Sequence, residues 1–424
     1  MRNSSGLARV VSAGVIGTTV EFYDFFLYGA AAATVFPKVF FPHAQGLLGV
    51  LAALGTYAVG FVARPLGGIV FGHFGDKFGR KRLLVISLML MGLSSVGIGL
   101  LPGYAQIGAL APTLLIVLRL IQGFALGGEF GGAVLLAAEH APAESRGFWT
   151  AWPQTGGGLG NLLATAATAL AAYQLGPAAY GEWGWRLPFL ASILLVVVGL
   201  WVRLRVAESP LFVRTQQKHG TERAPILTVL REHPRPLLAV FFARIGENAS
   251  FYMFTIFLLV YADHIGLPRP LTATAVTIGS LFQVAATVGG GALSDRLGRR
   301  PVAVAAALVA LVWGFVFFPL VDSRQLVLVT LGVTVGLMAQ GLLVGAQVAY
   351  FAEIFGTDVR YSGVSLGYQG ATVVAGAGMP LGGTWLLEHT GGTLAVSGLL
   401  ALTLIVTIVG MSVARIPQST GLNG

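Results

Sequence analysis

The sequence predicts an all-α integral membrane protein of twelve transmembrane helices in two pseudo-symmetric six-helix bundles. Composition is the first reason. Of 424 residues, 55% are hydrophobic and 10% charged, where a soluble domain carries about 25% charged. The second reason is a repeated charged turn. Gly72-His73-Phe74-Gly75-Asp76-Lys77-Phe78-Gly79-Arg80-Lys81 returns as Gly291-Ala292-Leu293-Ser294-Asp295-Arg296-Leu297-Gly298-Arg299-Arg300. One copy in each half of an apolar chain marks a duplicated membrane protein. The third is charge placement. With a cytoplasmic N-terminus, nineteen of the 26 Lys and Arg fall on the cytoplasmic side, and only Lys38, Arg186, Arg269 and Arg324 on the outer side. This asymmetry puts both termini in the cytoplasm. A lipid bilayer, not nucleic acid, accounts for the net charge of +9.

Hydropathy sets helices near 12–36, 48–74, 83–101, 112–138, 148–174, 185–204, 236–261, 271–293, 301–320, 326–352, 362–386 and 393–414. Each is close to the roughly 20 apolar residues that span hydrocarbon. The first is expected to direct insertion itself, without a cleavable signal. The second and eighth end in the two charged turns. The fourth and tenth lead to matching acid–base pairs, Glu139 with Arg146 and Glu353 with Arg360. The fifth and eleventh then carry Gln154 and Gln369. Landmarks recurring in one order imply homologous halves, 1–204 and 236–424. The segment 205–235 reads as a cytoplasmic tether whose basic residues could also meet anionic headgroups.

Glycine is abundant, at 59 residues, and runs such as 127–132 and 156–160 read as surfaces for close helix approach. None follows a strand, which excludes a dinucleotide or phosphate loop. There is no cysteine, and no two of the seven histidines have ligand spacing on a helix. No disulfide, metal or cofactor is expected.

Ionisable residues at membrane depth are costly, and by default they are functional candidates. Seven fall inside the predicted spans: Glu21, Asp24, Arg64, Arg119, Glu129, Arg244 and Glu247. Glu21 and Asp24 share a helical face with Tyr28. Two carboxylates in a partly dry cavity suit a proton carrier, because one is driven to hold its proton. The alternative is a structural pair with a neighbouring arginine. Arg119, Gln122, Leu126 and Glu129 form one stripe, in which Arg119 offers a planar fork to a substrate carboxylate. Glu129 lies about 15 Å from Arg119 along the helix, too far for a direct bond. Arg244, Glu247, Asn248, Phe251 and Tyr252 line the facing wall. Gln154 with Asn161, and Gln340 with Gln347, add amides. Arg64, next to Pro65, reads as a gate or packing residue. Asp76 and Asp295 can pair with Arg80 and Arg299 and cap a neighbouring helix. Glu139, Arg146, Glu353 and Arg360 are placed to form ionic latches.

Several blocks resemble the metabolite:proton symporter family of the major facilitator superfamily. They are Glu21-Phe22-Tyr23-Asp24-Phe25, Arg64-Pro65-Leu66-Gly67-Gly68, Arg119-Leu120-Ile121-Gln122-Gly123, Trp185-Arg186-Leu187-Pro188-Phe189, and Glu353-Ile354-Phe355 with Arg360-Tyr361-Ser362-Gly363. The charged turns resemble that superfamily's loops between helices two and three and between eight and nine. The likeness runs from about residue 12 to 414. It implies a midplane site between rocking halves, and charged networks that close the inner face. It also implies proton-coupled symport of organic acids such as citrate, 2-oxoglutarate or shikimate, or of zwitterions such as proline and betaine. Residues 153–158 match poorly the Gly-Pro motif of proton antiporters, which favours symport. The expected protein is a monomeric inner-membrane carrier of a small carboxylate. Asp24, Glu21 and Glu129 are its proton candidates. Arg119, Arg244, Glu247, Asn248, Gln122, Tyr23, Gln154 and Gln347 are its substrate candidates. A zwitterion carrier, or a sensor that binds without transporting, stands as the alternative. No nucleophile–base cluster points to an enzyme.

Overall fold

The computed structural model describes residues 4–44, 46–78, 80–127, 134–135, 137–138, 140–205, 225–355 and 360–413. Side chains are described for these residues except 4–6, 9, 72–84, 202–205, 225–228, 360–361 and 413. Regular structure among the described residues is helical. In hydrocarbon every backbone N–H and C=O must find its partner within the segment.

Twelve long helices are present among the described residues. They are α1 (Ser4–Thr34), α2 (Gly46–Phe78), α3 (Arg80–Leu100), α4 (Leu110–Gly127), α5 (Arg146–Ala179), α6 (Arg186–Arg205), α7 (Pro234–His264), α8 (Arg269–Leu297), α9 (Arg299–Asp322), α10 (Leu326–Glu353), α11 (Arg360–Thr390) and α12 (Leu394–Val413). Eight candidate spans are long and apolar enough to cross a membrane unaided, and α5 with α6 form a further pair bent by 88°. That bend follows Gly176 at φ 76°, Pro177 and a π-turn at Tyr180–Gly184. α5 runs from Arg146, on the face called here the basic face, to the bend, on the opposite, distal face.

Each predicted span coincides with one helix, with shifted ends. α1 begins at Ser4 instead of 12, because Leu7 and Val11 dock against Ala137 and give the polar start a buried face. α4 is described to Gly127, so the remainder of the predicted 112–138 span is only partly covered. Within the predicted tether, Pro225–Glu232 is helical and Val229 is fully buried. Residues 206–224 lie outside the described residues.

Close backbone approach organises both bundles in the same way. In the first, a Cβ on Gly123 would stand 2.0 Å from the Gly60 carbonyl oxygen, and one on Gly127 1.9 Å from that of Arg64, joining α2 to α4. In the second, a Cβ on Gly345 would stand 2.0 Å from the Thr287 carbonyl oxygen, and one on Gly290 2.4 Å from that of Leu342, joining α8 to α10. The pairs α2/α4 and α8/α10 hold equivalent places in the two halves. The duplication read from the charged turns therefore extends to helix packing. Lipid offers no hydrophobic drive between helices, so these contacts rest on dispersion and shape.

Gly289 and Gly290 separate packing from helix propensity. Gly290→Ala should destabilise the protein by about 1–3 kcal/mol through overpacking. A methyl group at Gly289 would meet nothing within 4 Å, so Gly289→Ala should leave stability unchanged or slightly raised. Tryptophan-monitored thermal unfolding in detergent checks both, and equal losses would refute the packing account.

Candidate functional site

Three buried arginines, Arg64, Arg119 and Arg244, are each held against aromatic rings. Arg119 of α4 is fully buried, with its guanidinium carbon 4.2 Å from the Phe25 ring centre, 4.3 Å from Tyr28 and 4.7 Å from Tyr57. It fits because α2 has glycine at position 60, where a Cβ would stand 2.4 Å from its Nε. Arg64, one turn along α2, stands 4.0 Å from Phe25 and 4.9 Å from Phe61. Arg244 of α7 stands 3.9 Å from Tyr368 on α11. Aromatic faces carry partial negative charge and attract desolvated cations. They do not satisfy N–H donors in the ring plane. Nε and Nη2 of both Arg64 and Arg119, and Nε of Arg244, have no hydrogen-bond partner among the described residues.

Asp24 on α1 is buried beside this cluster and accepts a hydrogen bond from Ser192 on α6. Arg119 donates to Gln122 Oε1 at 2.7 Å, and Gln122 donates to Ser95 Oγ on α3 at 2.6 Å. Ser95 also neighbours Asp24. A polar line therefore joins the carboxylate to the arginine through Ser95 and the Gln122 amide. The facing half is built differently. Arg244 pairs with Glu247 and donates to the Tyr368 hydroxyl, while Gln340 donates to Glu247. Gln283 in turn donates to Gln340 at 2.5 Å.

The other candidates divide. Asn248, Gln154 and Gln347 are buried, and each has a polar atom without a partner among the described residues; Gln347 also donates to the Ala243 carbonyl at 2.8 Å. Glu21 is buried as well. The Tyr23 hydroxyl donates to the Pro188 carbonyl at 2.8 Å and ties α1 to α6. Arg64 departs from expectation, since it shares the Phe25 ring with Arg119. Glu129 and Glu139 lie outside the described residues, as do the side chains of Asp76, Arg80 and Arg360. Ser95, Ser192, Tyr368 and Gln283 carry no distinguishing signal in the sequence. Hydroxyls and amides are common in helices, and only spatial convergence sets these apart.

Both faces of the site are joined across the halves. On the basic face, Asp295 accepts from the Gly147 and Phe148 N–H groups at 2.8 Å each, capping the start of α5. Arg299 bonds Asp295 at 2.5 Å and Glu353 at 3.1 Å, and Arg146 approaches Glu353 at 3.7 Å. The backbones touch here: a Cβ on Gly291 would stand 2.4 Å from the Gly147 carbonyl oxygen. Gly298, the second glycine of the turn, ends α8 at φ 93°, a conformation that favours glycine. At the level of the arginines Phe26 stacks on Phe251 at 4.7 Å, and Tyr252 meets Phe61 at 5.6 Å. On the distal face Arg269 donates to the Thr34 carbonyl at 3.1 Å.

Comparison with known proteins gives this geometry a family. Residues 14–367 and 237–421 match the Major Facilitator Superfamily. The inner membrane metabolite transport protein YhjE of Escherichia coli (strain K12) is 39% identical over 394 residues, covering 90% of this chain and 88% of that protein. The shikimate transporter of the same strain is 39% identical over 389 residues, covering 91% and 89%. The proline/betaine transporter of Salmonella typhimurium is 32% identical over 400 residues, covering 91% and 78%. Among solved structures, the xylose transporter XylE from E. coli, in a partially occluded inward-open conformation, superposes with a TM-score of 0.74 at 17% identity, covering 96% and 97%. At that identity the likeness concerns the fold alone. The chain belongs to the major facilitator superfamily, as a multi-pass membrane transporter and not an enzyme.

Proposed function

We propose that this chain is a proton-coupled symporter of a small carboxylate metabolite, working by alternating access across the cytoplasmic membrane. One observation carries the reading: buried arginines with unpartnered N–H groups stand beside a buried carboxylate, in the layer between the two halves. The first bundle is 1–204, the second 236–424, and 205–235 links them, with both termini and the basic face cytoplasmic.

In the proposed cycle a proton from outside neutralises Asp24. Attraction between Asp24 and Arg119 then weakens, and the line through Ser95 and Gln122 can rearrange. Arg119 turns its open N–H edge to the substrate carboxylate, a geometry that suits a planar fork. Arg244, held by Glu247, contributes from the other half, with Asn248, Gln154 and Gln347 as uncharged donors and acceptors. Neutralisation and pairing together remove the charge penalty that would otherwise oppose closure. Glu21 and Glu129 remain further proton candidates.

A zwitterionic substrate is the second reading, since one relative is named for proline and betaine. It requires free aromatic faces for an ammonium group. Here rings of Phe25, Tyr28, Tyr57, Phe61 and Tyr368 already face guanidinium groups. That occupancy favours an anion.

The basic-face contacts act as the inner gate in this scheme. Asp295, Arg299, Arg146 and Glu353 hold the halves together while the outer side opens. Asp76, Arg80, Glu139 and Arg360 are the proposed counterparts from the other repeat.

Two outcomes follow. Asp24→Asn should abolish solute-driven acidification of proteoliposomes, while exchange of labelled carboxylate across the membrane survives. Unchanged acidification would remove Asp24 from the proton path. For the gate, Asp295→Asn removes a charge-assisted cap, costing roughly 1–3 kcal/mol of closed state. The chain has no native cysteine, so a single cysteine at Val348, which is buried on α10 against Val134 of the other half, reports opening without background. It should react faster with a polar thiol reagent from the cytoplasmic side in Asp295→Asn than in its parent, and equal rates would argue against the latch.

A further inference from the structure

Phe25 has two guanidinium groups on it, and they come from different helices. Arg64 lies 4.0 Å and Arg119 4.2 Å from the ring centre. Their carbon centres are therefore no further apart than those two distances together. Like charges so close repel, and burial sharpens the repulsion. Arg244 has its own carboxylate in Glu247. Among the described residues, neither Arg64 nor Arg119 has a carboxylate oxygen within 4.0 Å. Each instead has Nε and Nη2 buried without a hydrogen-bond partner there. Gly60 brings the two side chains together, because its missing side chain is what admits Arg119 against α2 one turn from Arg64.

We infer that Arg64 and Arg119 form a paired anion seat around Phe25, and that the substrate carries two anionic groups, one for each guanidinium. This rests on the carboxylate reading and narrows it. A monoanion satisfies one arginine and leaves the other buried, charged and unpaired. A dianion relieves the repulsion between them and supplies acceptors to both sets of open N–H groups. Phe25 acts as the spacer that sets the distance between the two seats, so the seat also selects for length.

The test uses the full chain purified in detergent, with tryptophan-monitored melting as the binding readout and proteoliposome counterflow as the transport readout. The probes are the linear dicarboxylates from malonate to adipate, the monocarboxylates of matching chain length, and glycine betaine. The expected result is that one or two dicarboxylates of adjacent length act at concentrations at least about ten-fold below the matching monocarboxylates, since losing one buried charge pair costs more than that factor. Arg64→Gln should bring the two classes within about two-fold of each other while monocarboxylate binding persists. Arg64→Lys, which keeps the charge and loses the fork, should retain part of the preference.

Equal response of wild-type protein to mono- and dicarboxylates would overturn the paired seat and leave the carboxylate reading standing. Dicarboxylate preference unaltered in Arg64→Gln would overturn the role of Arg64. Response to glycine betaine, with none to either acid series, would overturn the carboxylate reading itself. The wild-type comparison needs no variant, so it decides even if Arg64→Gln does not fold.

Discussion

Burying guanidinium groups in the membrane interior constrains most of what surrounds them. Taking such an ion out of water costs several kcal/mol even after relaxation. The chain offsets part of this with aromatic faces: Phe25, Tyr28 and Tyr57 around Arg119, Phe25 and Phe61 around Arg64, Tyr368 against Arg244. A desolvated cation–π contact contributes about 2 kcal/mol, so compensation is partial. Phe25 and Tyr28 come from α1, but Tyr57 comes from α2, which reaches Arg119 because α2 and α4 touch backbone to backbone. Gly60, Gly123 and Gly127 make that contact possible. The glycine-rich packing and the buried charge are thus linked: the close crossing is what lets Arg119 lie against α2 and under Tyr57.

The two halves share a packing scheme but differ in chemistry. In the first half the acid and the base are separate, Asp24 on Ser192 and Arg119 on Gln122, connected only through a hydroxyl and an amide. In the second, Arg244 and Glu247 are bonded directly. A directly bonded pair is nearly neutral and keeps its geometry when a proton arrives elsewhere. A separated pair changes its balance on gaining one proton. In the proposed symport cycle the first half is therefore where proton binding would change substrate affinity, with the second half as the fixed wall.

Much of the fold was legible in the sequence. Hydropathy located a stretch for each of the twelve long helices among the described residues, because satisfying the backbone in lipid leaves a helix as the only local solution. The repeat of Gly291, Asp295, Gly298 and Arg299 was visible as a motif. Each member does something different: Gly291 makes the backbone contact, Asp295 caps a helix, Gly298 forms the turn and Arg299 makes the ionic bond. Asp24, Arg119 and Arg244 stood out because charge in an apolar run is rare. What stayed hidden was direction and partnership. Tyr23 was a substrate candidate from the block that carries Glu21 and Asp24, and its hydroxyl donates to the Pro188 carbonyl. Arg64 read as a gate because its neighbour is a proline, whereas the ring it shares with Arg119 comes from another helix. Ser192 and Ser95 gave no signal, as a single hydroxyl in a helix is ordinarily a backbone partner.

The contacts that join the halves are of two kinds, and this bears on how the halves can move. At the level of the arginines the joint is aromatic, Phe26 on Phe251 and Phe61 against Tyr252. Ring contacts of this kind rest on area and dispersion more than on directional hydrogen bonds. The basic joint is directional: two N–H groups fixed on Asp295, Arg299 bridging to Glu353, and glycine against glycine. It can be made or broken but hardly deformed. A ligand shifts such an equilibrium only by the difference in its affinity for the two states. In the proposed cycle a substrate drawn to Arg119 and Arg244 would pull on both halves at once, beside the aromatic joint. The polar joint, fixed by directional bonds, would have to yield as a unit, and its opening would be the committed event of that cycle.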